Sequence, residues 1–356
     1  MGLACLGNPD PVGMKVSCIP RMNPGLWPNT LGKGMVSGMN PYSTSDTVRV
    51  RLAPATPAVA TEVRLHVIVP VFGNWADTID CLRMLAEQES KGFSVILADD
   101  GSPDPPPAEV HLFPFVCYIR GQHVGFAANC NGAARLAHTQ GATHLLFLNN
   151  DTAFSPRFIG EWLRTVRELP DALVGPLIYW HHNPNSVWFS GGQQSILLPF
   201  FRLRREFRAR TSVDILCGCV LLVPMTAWLR LGGFHEGFVT YYEDFDFTLR
   251  AKRDGISAYV DVDRDLSVLH KVSRTTSRRG VWRKEYRMIT SRLFFIRRHY
   301  RGIARCACLV LCVAHLATTL VTSLPAVPDP RLLWEAVQVG LWSPAGQPDE
   351  SPGFRR

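Results

Sequence analysis

Ten cysteines are scattered through 356 residues, and no two of them stand three positions apart. That excludes a C-x-x-C zinc or thioredoxin-type pair; the tightest groupings are Cys217/Cys219 and Cys306/Cys308/Cys312. The second grouping lies in an apolar run, where free cysteine behaves as a small hydrophobe. Without a disulfide framework, a reducing compartment is expected. There is no G-x-x-x-x-G-K-S/T loop, which excludes a P-loop NTPase. The stretch Gly125-Phe126-Ala127-Ala128-Asn129-Cys130-Asn131-Gly132 is not G-x-G-x-x-G, so a dinucleotide fold gains no support. No recognisable nucleic-acid motif accompanies the arginines, and nucleic acid is not an expected partner. No secretory signal opens the sequence; residues 1–62, rich in Gly, Pro, Ser and Asn without periodicity, are expected to be disordered or to precede the true start at Met35 or Met39.

What is present begins with an apolar content of 46%, enough for a large core, and a net charge of +8 that is unevenly placed. Arg202, Arg204, Arg205, Arg208 and Arg210 form one basic cluster, and a second runs from Lys271 through Arg287 to Arg305. Either is a solvated face or a surface for an anionic partner. From Leu65 onward apolar strands alternate with helical spacing. Strands are expected at 65–70, 93–98, 115–119 and 144–148, with helices at 74–89 and 125–138. That alternation predicts an α/β domain with a mostly parallel sheet. Further on we expect a helix over 155–169, an irregular insertion over 176–212, an apolar strand over 213–223 and a short helix stopped at Gly232-Gly233. A helix over 243–253 and a strand over 258–262 come next. An apolar run from Cys306 to Leu324 would span about 28 Å as a helix. With arginines before it, this run is a helix on a membrane surface, a buried helix or a poor membrane span.

Three places carry candidate chemistry. Asp99-Asp100-Gly101-Ser102 ends a strand; its carboxylates either read a nucleobase or make a turn. Asn149-Asn150-Asp151 ends another, offering an oxygen ligand to Mg2+ or Mn2+ or, again, turn chemistry. His270 could complete that metal site or be an ordinary histidine. The most distinctive stretch is Tyr241-Tyr242-Glu243-Asp244-Phe245-Asp246: three acids in four residues at an expected helix start, directly after an aromatic pair. A helix N-terminus favours negative charge, but three acids exceed what capping needs.

In this order the segments resemble family-2 glycosyltransferases, most nearly the rhamnosyltransferase-like branch of cell-envelope enzymes. The resemblance covers roughly 65–300 and rests on Val67-Ile68-Val69-Pro70, Asp99-Asp100-Gly101-Ser102, Gly125-Phe126 with Asn131, and Leu148-Asn149-Asn150-Asp151. It continues through Trp188 with Gly191-Gly192, Gly218, Gly232 to Glu236, Glu243 to Asp246 with Arg250, and His270-Lys271. It implies the GT-A, or nucleotide-diphospho-sugar transferase, fold over 63–300, with a C-terminal helical extension over 301–356 that could associate with a membrane. It further implies a nucleotide pocket of Pro70, Asp99, Asp100, Gly125, Asn131 and Asn149, and a divalent cation, Mn2+ or Mg2+, on Asp151 and His270. Asp244 would be the general base with Glu243 beside it, and Trp188, Gly191 and Glu236 would face the acceptor. Two positions depart from the family pattern: Asn149 opens the metal motif in place of Asp, and Thr290-Ser291 stands where an Arg-Asn pair is usual.

The implied reaction is inverting transfer of a sugar, rhamnose first, from a dTDP- or UDP-sugar to a hydroxyl of a glycan or lipid-linked acceptor at the cytoplasmic face of the membrane. Two rivals remain. An inactive domain of this fold could serve as a sugar-binding or scaffold protein. A sugar nucleotidyltransferase would need a Gly-rich basic loop where Val71-Phe72-Gly73-Asn74-Trp75 stands.

Overall fold

The computed structural model describes residues 15–17, 62–194, 201–203, 209–238, 240–272, 278–322 and 330–342. The chain divides into a unit of residues 1–18 with 63–356 and a second of 19–62, of which only Glu62 is described. The expectation of disorder over 1–62 falls almost wholly outside the described residues.

In chain order the elements of the first unit are β1 Lys15–Ser17, β2 Leu65–Val71, α1 Trp75–Ala86, β3 Phe93–Asp99, β4 Val116–Arg120, α2 Phe126–Thr139, β5 His144–Leu148, β6 Thr152–Ala153 and α3 Phe158–Glu168. Next come β7 Leu173–Pro176, β8 Ile178–Trp180, β9 Asn183–Phe189, β10 Gly192–Gln194, β11 Phe201–Leu203, β12 Thr211–Ser212, β13 Val220–Pro224, α4 Met225–Leu231, α5 Glu243–Arg253, β14 Ala258–Asp261 and β15 Val268–His270. Three helices close the chain: α6 Arg278–His299, α7 Gly302–Thr322 and α8 Pro330–Trp342.

The central sheet has the order β1-β4-β3-β2-β5-β13-β7-β14-β12. Strands β4, β3, β2 and β5 are parallel, as the alternation predicts. Beyond them β13 runs antiparallel to both β5 and β7, so the whole sheet is mixed. Its strands are near-continuous apolar runs because both faces are covered. Val67, Val69, Val95, Leu97, Leu146 and Leu148 point to one core with Leu82, Leu85, Phe158 and Trp162 of α1 and α3. Ile68, Ile96, Leu145 and Phe147 point to the other, against the alanines of α2 and Trp228, Phe234 and Phe247. Each fully buried side chain such as Phe147 contributes about 1.5–3 kcal/mol.

The insertion over 176–212 is more ordered than its sequence implies. It builds a second sheet, β6-β15-β8-β9, in which His270 pairs with Thr152 and Trp180, and a ribbon of β10 and β11. The apolar stretch before β13 is shorter as a strand than expected, because 213–219 turns back toward α5 instead. Apolarity marks that segment as buried without fixing its conformation. Among the described residues, no helix is long and apolar enough to cross a membrane. Helix α8 packs on α6: Gly340 sits so close to Leu293 that a Cβ would fall within 2.7 Å of it.

Candidate active site

The carboxyl ends of β2, β3 and β5 open onto one cavity of about 240 Å3, bordered by Pro70, Asp100, Asn149 and Asp151. Ligands of open α/β sheets gather at such strand ends. Asp100 does structural work at its rim. Its carboxylate accepts the N–H groups of Val124 and Gly125 at 2.8 and 3.0 Å and faces His123 Nδ1 at 2.8 Å. It thereby holds the loop that enters α2 at Gly125.

Asp99 lies beneath the cavity instead of in it. The residue is fully buried, with Oδ1 accepting from the Ser102 N–H and hydroxyl and Oδ2 from the Tyr118 hydroxyl at 2.7 Å. A strand-end Asp in D-x-x-S spacing folds back on its own turn, and Asp99 is not among the residues that line this cavity. Asn131 is likewise drawn away. It accepts the Phe234 N–H, donates to the Phe234 carbonyl and reaches Glu236 at 2.9 Å, so it clasps the loop after α4. Gly191, at φ +80°, is packed so tightly that a Cβ would lie 2.6 Å from Val260 Cγ2. Glu236 is exposed, with Asn131 as its partner.

Several residues of the cavity went unpredicted. Phe72, 49% exposed, stacks on His123 with ring centroids 4.0 Å apart and planes within 13°. Phe126, Asn129, Asn150, Thr240 and Arg287 complete the wall. An exposed aromatic just past a buried strand was the available signal for Phe72. Arg287 was hidden among the other arginines of its cluster.

Asp151 and His270 meet as expected, although 119 positions separate them: the Asp151 Oδ1 to His270 Nε2 distance is 3.1 Å and both are buried. The pairing of β15 with β6 brings them together, and the Lys271 N–H donates to the Asp151 carbonyl. Trp188 packs its ring against His270 at 4.5 Å, edge to face. His270 Nδ1 is buried with no hydrogen-bond partner among the described residues. A carboxylate at the cavity with an imidazole beside it is a donor pair of the kind that Mn2+ or Mg2+ accepts. No group of three or more ligating side chains occurs among the described residues.

The start of α5 carries the other candidate acids, neither of which lines this cavity. Asp244 Oδ2 accepts the Gly218 N–H at 2.7 Å and Oδ1 accepts the Phe245 N–H at 2.8 Å. Burial nevertheless pushes its carboxyl up to about 6, against the pull of those backbone donors. Glu243 is pushed well above the carboxylate range by burial and by the Asp244 charge, and its Oε2 has no hydrogen-bond partner among the described residues. Of this adjacent pair, Asp244 can accept a proton near neutrality. The Cys130 thiol is raised by burial, then by Glu243 and Asp100. The Cys219 thiol is raised by burial and Cys217, then by Asp151 and Asp244. Asp246 belongs to the framework, fully buried with Arg250, Arg298 and His299 at 2.7–2.8 Å.

Residues 66–227 match Glycosyl transferase family 2. Over 228 residues the chain is 30% identical to N-acetylglucosaminyl-diphospho-decaprenol L-rhamnosyltransferase of Mycobacterium tuberculosis, which covers 55% of this chain and 72% of that protein. An uncharacterized glycosyltransferase of Haemophilus influenzae is 26% identical over 52% of this chain and 61% of its own length. Among solved structures, a mannosyltransferase from Pyrobaculum calidifontis in complex with GDP-Man and Mn2+ is 17% identical with a TM-score of 0.49, over 80% of this chain and 83% of that one. GalNAc-T7 with UDP, GalNAc and Mn2+ is 12% identical with a TM-score of 0.48, over 64% and 51%. With both scores under 0.5, the assignment rests on the sequence relatives. The chain is a glycosyltransferase and belongs to family 2, with the rhamnosyltransferase-like proteins.

Proposed function

We propose that the chain carries out inverting transfer of a sugar, rhamnose in the first instance, from a dTDP- or UDP-linked donor to a hydroxyl of a lipid-linked, diphosphate-bearing acceptor. The name of the Mycobacterium relative supports both the sugar and the acceptor class. The observation that carries the reading is Asp244, a carboxylate fixed by two backbone N–H groups yet raised to about 6. Such a group is ionised at neutral pH and basic enough to take the proton of an attacking hydroxyl, a service worth about 10²–10⁴-fold. Glu243, its carboxyl raised by burial and by the Asp244 charge, stands beside it.

Asp151 and His270 would hold Mn2+ or Mg2+ at the donor diphosphate, where a divalent cation offsets the charge that develops on the leaving group. Phe72 and His123 offer a flat face to the nucleobase, and Arg287 a cation to the phosphates. Contact with a membrane surface is supported by apolar side chains left in water on the last two helices: Ile303 is 89% exposed, Val310 67%, Trp334 62% and Trp342 68%. These belong to the interfacial repertoire of apolar and tryptophan side chains.

The deciding assay incubates the protein with dTDP-rhamnose, UDP-sugars and a short-chain polyprenyl-diphosphate-sugar acceptor, with and without Mn2+, and tracks the glycosylated lipid. Product that requires Asp244 establishes the reaction. Binding of the nucleotide sugar with neither transfer nor hydrolysis would leave a sugar-binding protein.

A further inference from the structure

Lys271 follows His270 directly, yet its side chain does not line the cavity. Its ammonium reaches back to α1, donating to Asp77 Oδ1 at 2.5 Å and to Asp80 Oδ2 at 3.3 Å. Those two acids stand three positions apart, neighbours on one helical face. The Asp77 carboxylate also accepts from Asn74 Nδ2, just before the helix begins. The backbone of Lys271 is tied as well, its N–H donating to the Asp151 carbonyl at 2.9 Å. One residue on, Val272 holds φ +48°. For a β-branched side chain that is an outlier, of a kind that persists only where the surroundings over-determine it. The other half of the donor pair rests on the same helix. Asn150 Nδ2, next to Asp151, donates to the Thr78 hydroxyl at 2.8 Å, and that hydroxyl donates to the Asn74 carbonyl at 3.1 Å. Thr78 is fully buried.

We infer that Lys271 is a positioning residue: its ion pair with Asp77 and Asp80 fastens the end of β15 to the first two turns of α1, the helix that also holds Asn150, and so fixes His270 against Asp151. This rests on the proposed role of that pair as the protein donors to a divalent cation. The ladder beside the pair is short, since β6 contributes only two residues to its pairing with β15. An edge of that length holds position weakly by itself, and the ties to α1 add the missing restraint. A lysine suits the task, because its long stem lets one ammonium serve two carboxylates. The two effects that Lys271 could have on a bound cation differ in sign. As a bare charge it would oppose a divalent ion, so its removal would tighten binding. As a tether it supports the donors, so its removal loosens binding, as loss of the partners behind metal ligands does.

Mn2+ binding by the full chain, without nucleotide and read from the EPR signal of the free ion, separates the two. Lys271→Met keeps much of the stem and removes the ammonium, and its Kd for Mn2+ is expected to rise about tenfold. Lys271→Arg can still reach both carboxylates and is expected to stay within about threefold of wild type. The charge swap Asp77→Lys with Lys271→Asp keeps a tether and should recover most of the loss; were the methionine variant to melt too low to assay, the swap decides, and a swap that binds Mn2+ about tenfold more weakly than wild type refutes the tether. Tighter or unchanged binding by Lys271→Met overturns the inference, and so does a lowered melting temperature with an unchanged Kd, which leaves Lys271 a purely structural tie. His270→Ala is measured beside it. If that variant loses Mn2+ while Lys271→Met keeps it, the tether alone is refuted. If His270→Ala binds Mn2+ as the wild type does, the pair is not the cation's site, and the reading beneath the inference falls with it.

Discussion

Replacing Asp244 by Asn is the sharpest test of the site, because the structure separates its chemical effect from its structural one. Both oxygens of the native carboxylate accept a backbone N–H, at 2.7 Å from Gly218 and 2.8 Å from Phe245. The amide keeps one acceptor and turns an NH2 against the other donor, a mismatch worth about 1–3 kcal/mol. Against this, Asn relieves the cost of ionising a buried group whose carboxyl already stands at about 6. The two effects oppose, so the melting temperature is expected within about 4 °C of wild type. Transfer has no such offset. An amide cannot take the acceptor proton, and loss of a positioned base removes about 10²–10⁴ in kcat, or about 3–5 kcal/mol of barrier. Radiolabelled sugar transfer measures kcat, and a thermal melt with UDP and Mn2+ checks that the nucleotide still binds. Because the Asp244 carboxyl is raised, wild-type kcat should be full above about pH 7 and fall roughly tenfold per unit below about 6, as the base becomes protonated. A variant retaining more than about a tenth of wild-type kcat would place the base elsewhere.

Four further outcomes are expected. His270→Ala should weaken Mn2+-dependent stabilisation by nucleotide diphosphate roughly 10–100-fold, read by thermal shift, since it removes one of the two protein donors at the cavity. Phe72→Ala should raise the KM for donor several-fold with little change in kcat, because a half-exposed ring stacked on His123 can contribute only to binding. Asp246→Asn should cost about 3–5 kcal/mol in urea unfolding, leaving Arg250, Arg298 and His299 facing each other without their shared anion. Burial alone would raise Asp246, but the His299 hydrogen bond and the charges of Arg250 and Arg298 hold it well below the usual range. Its stabilising contribution is therefore present above about pH 4 and lost as pH falls below that, and the acid limb of stability should flatten in the variant. Gly191→Ala should destabilise by at least about 2 kcal/mol, because its φ of +80° is strained for alanine and the added methyl meets Val260 and Val213.

The sheet was legible where burial on both faces forces apolar runs: β2, β3, β5 and the helices between them lie within a few residues of their expected bounds. The strand-end acids were legible as types but not as directions. Asp99 and Asp100 are adjacent and chemically identical, yet successive side chains of an extended chain point opposite ways. One is buried under Ser102 and Tyr118, and the other turns to the cavity rim. The meeting of Asp151 with His270 depends on β15 lying beside β6, a pairing of short strands that no local pattern announces. Sequence gives the charge of the arginine clusters without their partners. Arg210 is committed to Glu168 and Asp261, Arg292 to the Tyr242 hydroxyl, Arg298 to Asp246, and Arg297 and Arg305 to backbone carbonyls. Few of those described remain for an anionic surface.

Those commitments explain how a base can sit at the end of a strained approach. Tyr241 and Tyr242 both hold positive φ, 71° and 68°, immediately before α5. Two aromatic residues in that region cost about 1–3 kcal/mol each, and such a segment persists only where its surroundings over-determine it. Helix α6 does so at three heights: Ser291 donates to the Thr240 carbonyl at 2.8 Å, Arg292 to the Tyr242 hydroxyl at 2.9 Å, and Arg298 with His299 to Asp246 one turn inside α5. The Thr290-Ser291 pair that departs from the family pattern is thus used here for packing and for holding the approach, since both side chains are fully buried. Helix α8 then braces α6 from behind through the close seat of Gly340 on Leu293. Positioning of Asp244 therefore extends beyond the residues matched to the family, which end at 227, into the C-terminal helices. Ser291→Ala removes one of these ties, the one to the carbonyl of the cavity residue Thr240. If α6 holds the base, that change should lower kcat severalfold and leave the KM for the donor as it was; a change in KM alone would mean that α6 serves the nucleotide instead.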